Sequence, residues 1–473
     1  MPATSSVAQN LPSVILEAII GYIALVSDGN AALYKAAATV SALQCCKSWR
    51  VVCQSLVCSD VNIAVANEGD IEWSFTKWPN KLAAPPSFET VSSMVRSVQI
   101  SISSWKCVFS RSFLNMPAWM QLSKLRFPRA RHFELVIRDP YWFSDFSKFS
   151  DDDVAQTIDT INSLFDLFKR LVPDPNSIRI NWPALNSSHH GLKIIKHLAQ
   201  RLSDLATGVS TINLIDSGTI AHTPINSYVC ISPITSFSYT SFCNRDLVFE
   251  IVRRNSTHLQ TLRLSNFREN NAKQLLYSAD ETTVEYPRLE TLYLNPGYSD
   301  NLITLKTDKE FVPFPALKRL IISRTYPFGD DVVFRGSSDT LEYLKLPVYN
   351  EFVDMIGAYG CFNAERFTRL SSVILGITRP FSFDSDTEEH RLFLFGYKVM
   401  ESVTHGNLLD FAFKRCFVNA ISLEKIISHP LLTNLRSLDL IGINVKLVHV
   451  AAVLQNCPLI NMLAITPDNG ALE

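Results

Sequence analysis

Glycine is scarce in this chain, 16 of 473 residues. Loops that bring backbone amides against a phosphate depend on it, and neither Gly-x-Gly-x-x-Gly nor Gly-x-x-x-x-Gly-Lys occurs. The nucleophile elbow Gly-x-Ser-x-Gly and the zinc-protease motif His-Glu-x-x-His are missing too. There is no excess of either charge: 44 Lys and Arg face 45 Asp and Glu, a formal net charge of -1. That balance gives no electrostatic ground for a nucleic-acid surface. No window of membrane-spanning length is apolar and free of charge. The longest apolar stretch, Val14 to Val26, carries Glu17 and reads as a core helix. The opening Met-Pro-Ala-Thr-Ser-Ser has no positively charged region and no small-residue cleavage site, so the chain reads as non-secreted. Its ten cysteines include no Cys-x-x-Cys pair. Cys45, Cys46, Cys53 and Cys58 cluster without a histidine at spacings that fit no tetrahedral zinc site. They read as reduced, buried small hydrophobes. His189-His190 reads as a solvated or capping pair at a helix start, and Asp330, Asp331, Asp384 and Asp386 as solvated loop charges. The expectation is a non-enzyme with no catalytic residue, cofactor or metal.

What the chain has in abundance is one short pattern, apolar-x-x-apolar-x-apolar. Leu259-Gln-Thr-Leu262-Arg-Leu264, Leu289-Glu-Thr-Leu292-Tyr-Leu294, Leu317-Lys-Arg-Leu320-Ile-Ile322, Leu341-Glu-Tyr-Leu344-Lys-Leu346 and Leu435-Arg-Ser-Leu438-Asp-Leu440 are the clearest copies. Weaker copies start at Val209, Ile234, Leu370, Leu408 and Ile460. Successive starts lie 24 to 30 residues apart by subtraction, except for a step of 38 between Leu370 and Leu408, where Phe383-Asp-Ser-Asp-Thr-Glu-Glu-His390 forms an acidic insertion. Repetition at this period marks stacked units, each unable to bury its own apolar face alone. In each copy the last two apolar residues share strand parity and point inward, and their neighbours point out. Each repeat reads as strand, turn and helix, with helices at Leu247 to Arg254 and Leu423 to His429. Upstream, the pattern recurs at Val95-Arg-Ser-Val98-Gln-Ile100 and Leu122-Ser-Lys-Leu125-Arg-Phe127. Phe133 to Ile137 and Ser177 to Asn181 read as strands, Asp151-Asp152-Asp153 as a helix start and His190 to Leu205 as a helix. Near the N-terminus, Leu11 to Leu25 and Ala31 to Val57 carry apolar residues at helical steps, and Asn62 to Phe88 reads as irregular.

The repeats resemble leucine-rich repeats. The Asn or Cys that usually follows three residues past the last leucine is present only in the Leu408 copy, at Cys416. Residues 11–50 resemble an F-box through Leu11-Pro12, Ile15-Leu16, Ile19-Ile20, Tyr22 and Leu43-Gln-Cys-Cys-Lys-Ser-Trp49-Arg50. Val14 stands where glutamate is common in that family, and the stretch Val26 to Val40 is longer than usual. The resemblance implies an α/β fold: an irregular leucine-rich-repeat solenoid, arc or horseshoe, preceded by a small all-helical F-box. The expected layout is a flexible tail over 1–10, an F-box-like helical domain over 11–60, a connection over 61–94 and the solenoid over 95–473. It further implies the substrate-recognition subunit of a Skp–cullin–F-box ubiquitin ligase, working in the cytoplasm and/or nucleus. Leu11, Pro12, Ile15, Leu16 and Ile19 would meet the Skp adaptor of the cullin–RING ligase, and the repeats would hold an unknown protein substrate. Nucleic acid and membrane are not expected partners. The alternative is a leucine-rich-repeat protein-binding scaffold with no ubiquitin role, its N-terminal helices acting as a cap. On either reading the outward strand positions form the recognition strip. Its centre, Arg263, Tyr293, Arg319, Tyr343 and Lys345, has the residue types in which interfaces concentrate energy, and suits an acidic or phosphorylated peptide.

Overall fold

A strand with alternate apolar residues still needs a neighbour for its amides, and the computed structural model shows where each neighbour comes from. The structure describes residues 58–65, 71–75, 92–104, 117–139, 148–182, 189–216, 233–241, 247–267, 273–278, 280–296, 310–323, 332–348, 367–377, 408–414 and 430–467, with Gln54, Val108, Phe328, Glu424, Ile427 and Ser428 between them. The chain divides into two compact units, one reaching Thr223 and including 227–231, the other taking 224–226 and everything from Ser232.

The first unit holds β1 (Asp60–Val65), β2 (Ile71–Phe75), β3 (Ser97–Ser104), β4 (His132–Asp139), β5 (Ser177–Trp182) and β6 (Thr211–Asp216). They lie in the order β2-β1-β3-β4-β5-β6, with β2 antiparallel to β1 and the rest parallel. Its helices are α1 (Pro117–Leu122), α2 (Asp151–Leu171) and α3 (His189–Leu205). The second unit holds β7 (Ser236–Ser241), β8 (Thr261–Ser265), β9 (Thr291–Asn295), β10 (Arg319–Ile322), β11 (Tyr343–Val348), β12 (Ser372–Ile377), β13 (Asp410–Lys414), β14 (Ser437–Val445) and β15 (Met462–Pro467). These nine pair in chain order, every pair parallel. Its helices among the described residues are α4 (Leu247–Arg254), α5 (Lys273–Leu276) and α6 (Leu447–Asn456), with short 3-10 turns at Val332–Phe334 and Pro430–Asn434.

One backbone device sets the register throughout. The residue after each leading apolar residue offers its carbonyl to two amides of the next repeat. Gln260 O accepts from Glu290 and Thr291, Glu290 O from Lys318 and Arg319, Lys318 O from Glu342 and Tyr343, and so on to Arg436 O, which accepts from Asn461 and Met462. The same device runs through the first unit: Ser59 O serves Arg96 and Ser97, Arg96 O serves Arg131 and His132, Arg131 O serves Asn176 and Ser177, and Asn176 O serves Ser210 and Thr211. The leading positions there are Cys58, Val95, Ala130, Pro175 and Val209, all buried. The repeat therefore begins well before Val209, carried by residue types that hide it. Burial pushes the Cys58 thiol up to about 11.

A turn precedes many of these positions. Leu289 N–H donates to Tyr286 O, Leu317 to Phe314 O, Ala130 to Phe127 O and Ile460 to Cys457 O. In each case proline follows the acceptor residue, at 287, 315, 128 and 458. Proline presets the backbone angle that the second position of such a turn requires. Tyr286, Phe127 and Phe314 are fully buried, and the Tyr286 hydroxyl donates to Leu275 O at 2.8 Å. Inside the second unit, Leu262, Leu292, Leu320 and Leu344 are consecutive register partners with no exposure, and Val373 continues the row. Each such side chain contributes roughly 1.5–3 kcal/mol on burial.

The expected fold is corrected in three respects. The structure shows a regular array of mostly parallel strands, not an irregular leucine-rich-repeat solenoid. Among the described residues few connections carry a helix; aromatic-proline turns and short 3-10 turns occupy several of them. The small all-helical F-box is not seen. Most of residues 11–60 lies outside the described residues, and the first described element, β1, starts as a strand at Asp60. The supposedly irregular stretch from Asn62 contains most of β1 and all of β2; Val61, Ile63 and Val65 alternate inward along β1. The Leu122 copy is not a strand: Leu122 ends α1, and the repeat starts at Ala130. The helix starting at Asp151 forms, with Ser150 and Asp153 closing a reciprocal capping box. Phe168 of α2 packs on Phe133 of β4 at 4.6 Å, so this helix covers the inward side of its sheet. The helix expected at Leu247 to Arg254 coincides with α4, whereas Leu423 to His429 lies mostly outside the described residues.

Candidate functional site

From β7 to β12, parallel pairing without slippage turns each outward position into a row. One row runs Ser236, Thr261, Thr291, Arg319, Tyr343, Ser372; the other runs Ser238, Arg263, Tyr293, Ile321, Lys345, Ile374. The structure thus places Arg263, Tyr293, Arg319, Tyr343 and Lys345 on one face, across four adjacent strands. Arg263 and Arg319 are exposed; Tyr293, Ile321, Tyr343 and Lys345 are half-buried. Arg263 pairs in register with Tyr293, Tyr293 with Ile321, and Ile321 with Lys345. Three strand spacings separate Arg263 from Lys345, about 14 Å. Arg319 lies over the ring of its register partner Tyr343, 4.6 Å from the centroid. A guanidinium held over a ring face keeps its in-plane N–H donors available for other partners.

Among the described residues, Arg263, Arg319 and Lys345 form no ion pair. In the equivalent row of the first unit, Asn62, Gln99, Glu134, Arg179 and Asn213, the first four side chains find partners on the same face. There Arg179 bridges Glu134 at 3.1 Å, and Ser101 donates to Asn62 while accepting from Gln99. One residue before the second unit's rows, Lys318 bridges Glu290 at 2.8 Å and Glu342 stands exposed. Sequence reading missed the Lys318–Glu290 bridge, although the regular step between repeats aligns those positions. Asp439, expected on the outward strip, is buried.

Elsewhere the titratable groups serve packing. His190 opens α3 near Asp151, 3.6 Å away, and its ring meets that of His189. His197 contacts Asn162 at 2.7 Å, and burial, then Arg201, holds its pKa below the usual histidine value. Among the described residues, no group of His, Cys, Asp and Glu could hold a metal ion, and no helix is long and apolar enough to cross a membrane. Leu11, Pro12, Ile15, Leu16 and Ile19 lie outside the described residues. The outward rows bring no nucleophile beside a base; they can supply cations, aromatic faces and short hydroxyl side chains. No family model matches the chain, and the curated proteins contain no match to it.

Proposed function

We propose that the chain works by recognition, as the substrate-recognition subunit of a Skp–cullin–F-box ubiquitin ligase. The outward face of β8 to β11 holds the target protein, and the F-box-like stretch containing Leu11, Pro12, Ile15, Leu16 and Ile19 docks the Skp adaptor. The observation that carries the recognition half is the alignment of Arg263, Tyr293, Arg319, Tyr343 and Lys345 on one face, with no ion pair to the three cations among the described residues. Arg and Tyr are the residue types in which binding energy concentrates, and an opposite charge across the strand, such as Arg179 finds in Glu134, would stabilise these cations in the free protein. The ubiquitin half is supported by the Leu-Pro opening and the later Trp49-Arg50 of the sequence. The chain itself carries out no reaction on this reading, and it works in the cytoplasm or nucleus.

Co-purification with the Skp adaptor tests it. The full chain is expected to recover the adaptor, and a variant with Leu11→Ala and Ile15→Ala is expected to lose it while keeping its circular dichroism. Failure of the folded full chain to recover the adaptor would remove the ubiquitin role and leave a protein-binding scaffold.

A further inference from the structure

We infer that the target segment bound on this face is an extended acidic peptide with carboxylates four residues apart, one on Arg263 and the next on Lys345. The inference rests on the recognition reading above and specifies its ligand. From β7 to β12 the two outward rows contain Arg263, Arg319 and Lys345 and no carboxylate. Arg263 and Lys345 do not converge on one point, as a single phosphate held by both would require. Arg263 and Lys345 are about 14 Å apart, and an extended chain advances ~3.3 Å per residue, so four residues span about 13 Å. A peptide crossing the strands therefore sets its first and fifth side chains on the two cations.

Between those ends lie Tyr293 and Ile321, both half-buried, a flat and mainly apolar floor for the intervening residues. Arg319 sits on the strand beside Lys345, two positions away, its guanidinium braced on Tyr343. It supplies planar donors for a carboxylate at the Lys345 end. Glu290, one residue before the rows, is already bridged to Lys318, but exposed Glu342 at the same level repels a polyanion broad enough to cover it, which favours a peptide over a nucleic-acid strand.

Fluorescence anisotropy on the full chain tests this with three labelled peptides: Ser-Glu-Ser-Tyr-Ser-Glu-Ser, its lysine counterpart, and Ser-Ser-Glu-Glu-Tyr-Ser-Ser with adjacent carboxylates. The spaced acidic peptide is expected to bind, more weakly as salt rises, and the other two to bind at least about tenfold less well. Arg263→Glu and Lys345→Glu, each checked by circular dichroism, should each weaken it by about tenfold or more, and the double variant should come to prefer the lysine peptide. Binding that ignores charge sign, spacing or both variants overturns the inference. So does tighter binding of an oligouridylate that the same variants abolish. Absence of acidic-peptide binding also overturns it yet leaves the adaptor result untouched, since that result reads a different segment.

Discussion

Replacing Leu292 with alanine tests the two-faced strand, and Tyr293→Ala is its control one residue along. Leu292 has no exposure and lies in register between Leu262 and Leu320, themselves fully buried. The substitution removes three buried carbons, worth roughly 2.4 kcal/mol at about 0.8 kcal/mol each. Parallel strands locked on both sides relax little, so a cavity remains and the total should be about 3–4 kcal/mol, inside the usual 2–5 kcal/mol for such changes. Tyr293 points to solvent and should cost under about 1 kcal/mol, the scale of one cross-strand contact. In a stacked array the loss is felt first by the neighbouring repeats. Hydrogen exchange of the β8, β9 and β10 amides is therefore the assay. Leu292→Ala should speed it by roughly 100-fold or more, since each 1.4 kcal/mol is about tenfold. Tyr293→Ala should change it less than about fivefold. Equal acceleration by both, or less than about tenfold by Leu292→Ala, would refute the inward-outward assignment.

Two further outcomes follow from local geometry. Gly336 has φ +69°, and a Cβ there would lie 2.5 Å from Val312 Cγ1; Gly336→Ala should lower thermal stability by about 1–2 kcal/mol from the left-handed backbone alone, with the clash adding to it. Burial raises the Glu250 pKa, but hydrogen bonds from Arg253 and Arg254 outweigh it and hold the carboxyl below its usual range. A depressed carboxylate pKa gives stability that is present above the unfolded value, near ~4.3, and is lost as pH falls through the folded one. Melting temperatures followed from pH 7 to pH 3 should therefore drop less steeply in Glu250→Gln than in the unaltered chain.

How much was legible in the sequence differs from element to element. The alternation in Leu262-Arg263-Leu264 is local, so the direction in which Arg263 points could be read before any fold was known. The helix at α4 was equally readable, since its apolar spacing and its terminal arginines are properties of eight consecutive residues. Leu122 misled because a match of six residues says nothing about whether a neighbour's carbonyl is in reach. Cys58, Ala130 and Pro175 escaped because the leading position demands burial beside a two-amide carbonyl, and small residues meet that demand without looking like leucine.

The sequence by itself determined the period of the second unit's repeats, the faces of their strands, and the residue types on the recognition rows. Side-chain parity and turn chemistry are written into neighbouring residues, which is why these survive without tertiary information. The tertiary structure alone decided that the repeat reaches back to Cys58 and that, among the described residues, few connections carry helices and Arg179 finds Glu134 while Arg263 and Lys345 find no carboxylate. Those facts depend on which residues stacking brings side by side, and residues some 30 positions apart acquire neighbours only once every strand is in register.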